Sequence, residues 1–130
     1  MNREIKFRVW CKDKNQWEED YCVLTSDGVL LHRVRSLWVP LNKDTHIIQF
    51  CTGLKDKNDK EIFEGDIVIY DDYNGEIYWN EEIAIFELNY DGTIVTDFDH
   101  IYPKELEVIS NIYENSELLE VDNEQCIKKN

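Results

Sequence analysis

Three histidines, four cysteines and 28 acidic residues carry most of the chemistry that this 130-residue chain could perform. The histidines are His32, His46 and His100. His100 follows Asp97 and Asp99 in the run TDFDHIY, and two carboxylates beside an imidazole could ligate a divalent ion. Spacing alone does not wrap these three around one ion, and a polar loop between two strands is the plainer reading. Asp56, Asn58 and Asp59 look like the start of a calcium loop, but the central glycine and the distal bidentate glutamate are missing. Glu61, Glu64 and Asp66 could act as paired carboxylates in acid–base work. They flank Gly65, so Glu64 and Asp66 are better read as acceptors for turn amides. Cys11, Cys22, Cys51 and Cys126 form no CxxC pair and no zinc spacing, and they read as free thiols. No GxSxG, HExxH, Walker or GxGxxG pattern occurs. The expectation is a protein that is not an enzyme and has no cofactor and no metal.

Charge narrows the partners. With 28 acidic against 14 basic residues the net charge is −14. Non-specific nucleic-acid binding and adhesion to an anionic membrane both need positive charge, so the charge argues against both. Arg33 and Arg35 are too sparse for a phosphate-binding patch. The opening MNREIKFRVW has no apolar run of signal-peptide length, and no 18-residue apolar segment follows. A soluble, unexported protein is expected.

The elements that would position these residues are short strands. The apolar set is rich in Ile, Val and aromatics, including four Trp, seven Tyr and five Phe. Glu4 to Trp10 alternates as a half-buried strand, with Ile5, Phe7 and Val9 on one face. Ser26-Asp27-Gly28 signals a hairpin. Leu37-Trp38-Val39 is stopped by Pro40, which suits a strand end or an edge. Ile47 to Thr52 reads as a strand, KDKNDK at 55–60 as a polar turn, and Glu61 to Phe63 as a short run. Gly65 then bends the chain into the apolar strand Ile67 to Tyr70. A polar loop over Asp71 to Gly75, strands at 76–80 and 83–90, the Asp91-Gly92 hairpin, and strands at 93–98 and 104–113 follow. Asn115 is positioned to cap a short helix.

The fold class expected is mainly β (α+β at most): an N-terminal β segment followed by an SH3-like small β-barrel with a short C-terminal helical turn. The expected divisions are a β region at 1–46, the barrel with its entry hairpin at 47–121 and a polar tail at 122–130.

The run TGLKDKNDKEIFEGDIV at 52–68 closely resembles the signature of the YopX-like proteins, a family of phage and prophage proteins. REIKFRVW at 3–10 and ELEVISNIYENSELL at 105–119 are similar to that family's usual start and end. Within the signature, Gly53, Leu54, Asp56, Asn58, Gly65 and Asp66 read as structural residues. Asp59 stands where the family usually has Gly, as does Ser110, and Ser116 stands in place of Pro. The resemblance implies a phage or prophage origin and action in the host cell cytoplasm. It brings no assigned activity.

The function expected is a non-catalytic protein-interaction module with a host or phage protein as partner. The candidate surface is Tyr70, Tyr73, Tyr78 and Tyr90 with Asp71 and Asp72, since small barrels bind extended peptides through exposed aromatics. Trp79 is read as core. Two alternatives stand beside this reading: a metal-dependent enzyme or binder using Asp97, Asp99 and His100, and an acidic decoy that occupies a host DNA-binding protein. Free strand edges make a homo-oligomer possible.

Overall fold

The computed structural model describes residues 6–90, 92–95 and 105–119. Asp97, Asp99 and His100 lie outside the described residues, as do the 122–130 tail and the expected strand beyond residue 95. The chain divides into two compact units, one being Arg8–Gln49. The expected boundary at 46/47 falls three residues before the end of that unit, and Lys6 and Phe7 group with the part that begins at Phe50. The fold is mainly β, with curled antiparallel sheets.

Strand β1 (Phe7–Cys11), which lies in the Arg8–Gln49 unit apart from Phe7, pairs with the short β2 (Gln16–Trp17) through Trp10↔Trp17 and Cys11↔Gln16. Trp10 and Trp17 meet edge to face at 4.9 Å, and the Arg8 guanidinium sits 4.4 Å from the Trp17 ring. Val9, Trp10 and Cys11 are all buried, so β1 loses the simple in–out alternation at its end. Strands β3 (Cys22–Leu24), β4 (Leu30–Val34) and β5 (Leu37–Pro40) form a three-stranded antiparallel sheet with β4 in the middle. Gly28, at φ 93°, closes the β3–β4 hairpin as its Asp-Gly signal predicts.

The second unit begins within β6 (His46–Lys55), which turns back into β7 (Glu61–Phe63). Five strands follow: β8 (Asp66–Tyr70), β9 (Tyr73–Asn80), β10 (Ile85–Tyr90), β11 (Thr93–Val95) and β12 (Glu107–Asn111). Their order is β11-β10-β9-β8-β12, a meander whose last strand returns to pair with the first. The spacing of turns predicts an SH3-like barrel, and these strands form a curled half-barrel. Ile62, Val68, Ile77, Leu88, Leu106 and Val108 form its core, with Leu54, Tyr70, Phe86, Tyr90 and Val95 packed around them. Burying each such aliphatic side chain contributes about 1.5–3 kcal/mol.

Three local features differ from the sequence reading. The expected 71–75 loop is a two-residue turn: Tyr70 pairs directly with Tyr73, and Asp71 and Asp72 both have positive φ, 51° and 68°. Those angles match the twist of a hairpin, and Asp is among the few residues that tolerate them. Gly75 is therefore a strand residue. Residues 117–119 are helical as expected, but another helical turn precedes them, capped by Asn111. Its Oδ1 accepts from the Tyr113 and Glu114 amides at 3.0 Å, starting α1 (Ile112–Asn115). The Ile112 amide donates to the Gly65 carbonyl, which ends the strand early enough for Asn111 to take the cap. Trp79 is 41% exposed, against an expectation of core; it packs edge to face on Phe86, its cross-strand neighbour.

Candidate interaction surface

The signature residues are placed as turn formers and ties. Asp56 is buried, and its carboxylate accepts from the amides of Asn58 and Lys60, both at 2.9 Å, and of Val108 at 2.8 Å. Burial pushes this carboxyl up; the amide donors, Val108 foremost, outweigh it and hold the group below the usual aspartate range. Asp66 accepts from the Phe63 amide and Glu64 from the Phe50 amide, each at 2.8 Å. Gly53 and Gly65 occupy positive φ at 88° and 84°, and Leu54 packs against the core. Asn58 contributes its amide to the Asp56 loop.

The tyrosines of the half-barrel are turned to each other and to the protein. Tyr70 and Tyr73 both meet Tyr90, at 5.2 and 6.0 Å between ring centres. Tyr70 and Tyr90 also pack on the core. Tyr78 donates its hydroxyl to Glu87 at 2.6 Å, and Asn80 Nδ2 donates to the same oxygen at 2.9 Å. Glu87 is 2% exposed, so these two donors keep a buried carboxylate satisfied. The bond to Glu87 is the main reason the Tyr78 phenol is pushed up to about 12, with burial and the Glu87 and Glu76 charges adding to it. Burial likewise raises the neighbouring Glu76. Asp71 and Asp72 remain exposed at the turn.

The large exposed apolar side chains concentrate in the Arg8–Gln49 unit. All four residues of β5 are exposed, Leu37 at 68% and Trp38 at 44%, and Tyr21 is exposed at 75%. Tyr21 and Trp38 are 6.2 Å apart, and Arg33, cross-strand from Trp38, sits 6.0 Å from its ring. Tyr21, Arg33, Trp38 and Pro40 thus share one side of a three-stranded sheet. Strand β5 is its edge, as Pro40 suggested. The Leu41 amide donates inward to Leu30, so alternation points the Trp38 amide outward and places Pro40, which has no N–H, at the next outward position.

Charge is divided unequally between the units. Of the 14 basic and 28 acidic residues, six and six fall within Arg8–Gln49, leaving eight basic and 22 acidic in the remainder. The unit with the exposed aromatics is formally neutral, and the whole net charge of −14 belongs to the rest.

A mainly-β chain with this signature loop and returning last strand defines a class before it defines a molecule. The family model described as YopX protein matches residues 6–120, and the chain belongs to that family. The crystal structure of protein EF1440 from Enterococcus faecalis is similar, with a TM-score of 0.62 and 24% identity, over 91% of this chain and 99% of that one. At that identity the likeness shows a common fold. Comparison with curated proteins found no match. No helix among the described residues is long and apolar enough to cross a membrane.

Proposed function

We propose that this protein is a non-catalytic protein-interaction module acting in the host cytoplasm. Its partner is a basic protein that docks on the Tyr21–Trp38 face. One observation carries the reading: a large aromatic pair and a wholly exposed strand lie on the one unit that is electrically neutral. A contact built there gains apolar burial, with the Arg33 guanidinium beside Trp38 taken into it. The acidic remainder supplies long-range attraction for a basic partner and repels a second copy of the chain.

The test uses full-length protein as bait for host-lysate proteins at low and high salt, with hydrogen exchange on the recovered complex. A basic partner that protects residues 37–39 and is lost with Trp38→Ala and Tyr21→Ala is the expected result. Self-association, a salt-insensitive partner, or capture that survives both substitutions would overturn it. A partner that is also a DNA-binding protein would make the module a decoy.

A further inference from the structure

We propose that Cys11, Glu18 and His46 form a binding site for a divalent transition-metal ion of the zinc class. Cys11 ends β1, Glu18 follows β2 and His46 opens β6, all within the Arg8–Gln49 unit. Their ligand atoms, one sulfur, one carboxylate oxygen and one ring nitrogen, all lie within 4.8 Å of one another. Tetrahedral zinc, with bonds of about 2.0–2.3 Å, sets its ligand atoms roughly 3.5 Å apart. Small side-chain movements therefore close the ring on an ion.

The surroundings fit a ligand set. Cys11 is 3% exposed, and the Glu18 and His46 side chains are 7% and 12% exposed. Glu18 Oε2 stands 3.2 Å from His46 Nε2. The other ring nitrogen, Nδ1, lies 3.2 Å from the Asn42 carbonyl and 2.9 Å from Thr45 Oγ1. The Asn42 carbonyl also accepts from the Thr45 and His46 amides, so Nδ1 either donates to that carbonyl or accepts from the Thr45 hydroxyl. In the tautomer with its proton on Nδ1, Nε2 offers a lone pair to an ion beside the Glu18 carboxylate. A backbone carbonyl holding the far nitrogen of a ligating histidine is the usual outer support of a metal site.

Donor chemistry selects the ion. Thiolate with imidazole and one carboxylate suits zinc and its neighbours, and not calcium or magnesium, which take oxygen ligands. On binding, the Cys11 S–H bond gives way to a sulfur–metal bond. The proton passes to solvent, and no electrons are transferred. Glu18 also lies with Asp20 and His32 in a second group, with Asp20 Oδ2 at 3.2 Å from His32 Nδ1. That acidic neighbourhood favours cations. It also acts on Cys22, whose thiol is raised by burial first and then by Glu18 and Asp20. Three protein ligands leave a fourth position open, and His46 also lines a concavity of about 430 Å³ with Leu30, Pro40 and Ile47. The ion ties the end of β1 to the start of β6.

Cobalt reports such a site directly. Full-length protein, stripped with chelator, is titrated with Co²⁺. The expected result is saturation at one equivalent, with a thiolate-to-cobalt charge-transfer band and strong visible bands from four-coordinate metal. Cys11→Ser should remove the charge-transfer band, and His46→Gln and Glu18→Gln should each weaken binding at least about tenfold. His32→Gln should change neither. Circular dichroism of each variant checks the fold, and the isosteric Glu18→Gln keeps the test open if Cys11→Ser misfolds. Absence of a cobalt spectrum in large excess of metal would overturn the site and leave a plain Glu18–His46 ion pair. A charge-transfer band that persists in Cys11→Ser would also overturn it.

Discussion

Asp56 Oδ2 accepts the Val108 amide at 2.8 Å, joining two residues 52 positions apart. The other carboxylate oxygen accepts from Asn58 and Lys60, closing the signature loop. One buried side chain thus shapes a turn and anchors the last strand to it.

Asp56→Ala should therefore destabilise the fold by about 3 kcal/mol, since bonds to a buried charge are costly to leave unmade. Asp56→Asn should cost nearly as much, because its amide must face a donor. Urea unfolding measures both. The folded-state carboxyl lies below the ordinary aspartate value. Its contribution is thus complete above that value and is lost as pH falls through the depressed one. An acid titration of stability should show this loss in the wild type and not in Asp56→Asn.

Gly75 admits no side chain. A Cβ there would stand 2.8 Å from Leu88 Cδ1, 2.9 Å from the Asn89 carbonyl oxygen and 2.9 Å from Tyr90 Cβ. Two of these neighbours are backbone or close to it and cannot swing aside. Gly75→Ala should cost about 2–3 kcal/mol in overpacking, read as a lower urea midpoint.

Asp59 has a positive φ of 64°, a conformation that glycine adopts more readily. Its ion pair with Lys55, 3.6 Å long and exposed, contributes little. Asp59→Gly should raise stability by about 0.5 kcal/mol, and Asp59→Val should lower it by more. Thermal unfolding of the two variants decides the order.

Tyr78 and Glu87 form the other buried polar link. Tyr78→Phe leaves the Glu87 carboxylate with Asn80 as its remaining side-chain donor and should cost about 1–2 kcal/mol at neutral pH. The folded phenol lies at about 12, raised from 10. The bond's contribution is whole below pH 10 and is lost as pH rises through about 12. Phenolate absorbance should show one tyrosine titrating late, absent in Tyr78→Phe.

The succession of short strands was legible because turns announced themselves. Gly28 and Gly65 carry the positive φ values that glycine takes without strain. The Asp71-Asp72 turn was hidden, since neither residue is glycine and only the Tyr70–Tyr73 pairing reveals it. Trp79 misled because size suggests burial, whereas its position on the sheet decides exposure. The exposed face of β5 left a trace in Pro40. Cys11, Glu18 and His46 left none: their separation in sequence matches no short motif, and only the pairing of strands brings them together.

The uneven charge has a consequence for how the two units respond to solvent. Added salt screens self-repulsion, and here only one unit has net repulsion to screen. Guanidinium chloride is an electrolyte and urea is not. The half-barrel should resist the first better than the second allows, while the Arg8–Gln49 unit should rank them in the ordinary way. Tryptophan reporters in each part, Trp10 in one and Trp79 in the other, would turn ionic strength into a means of melting the two units separately.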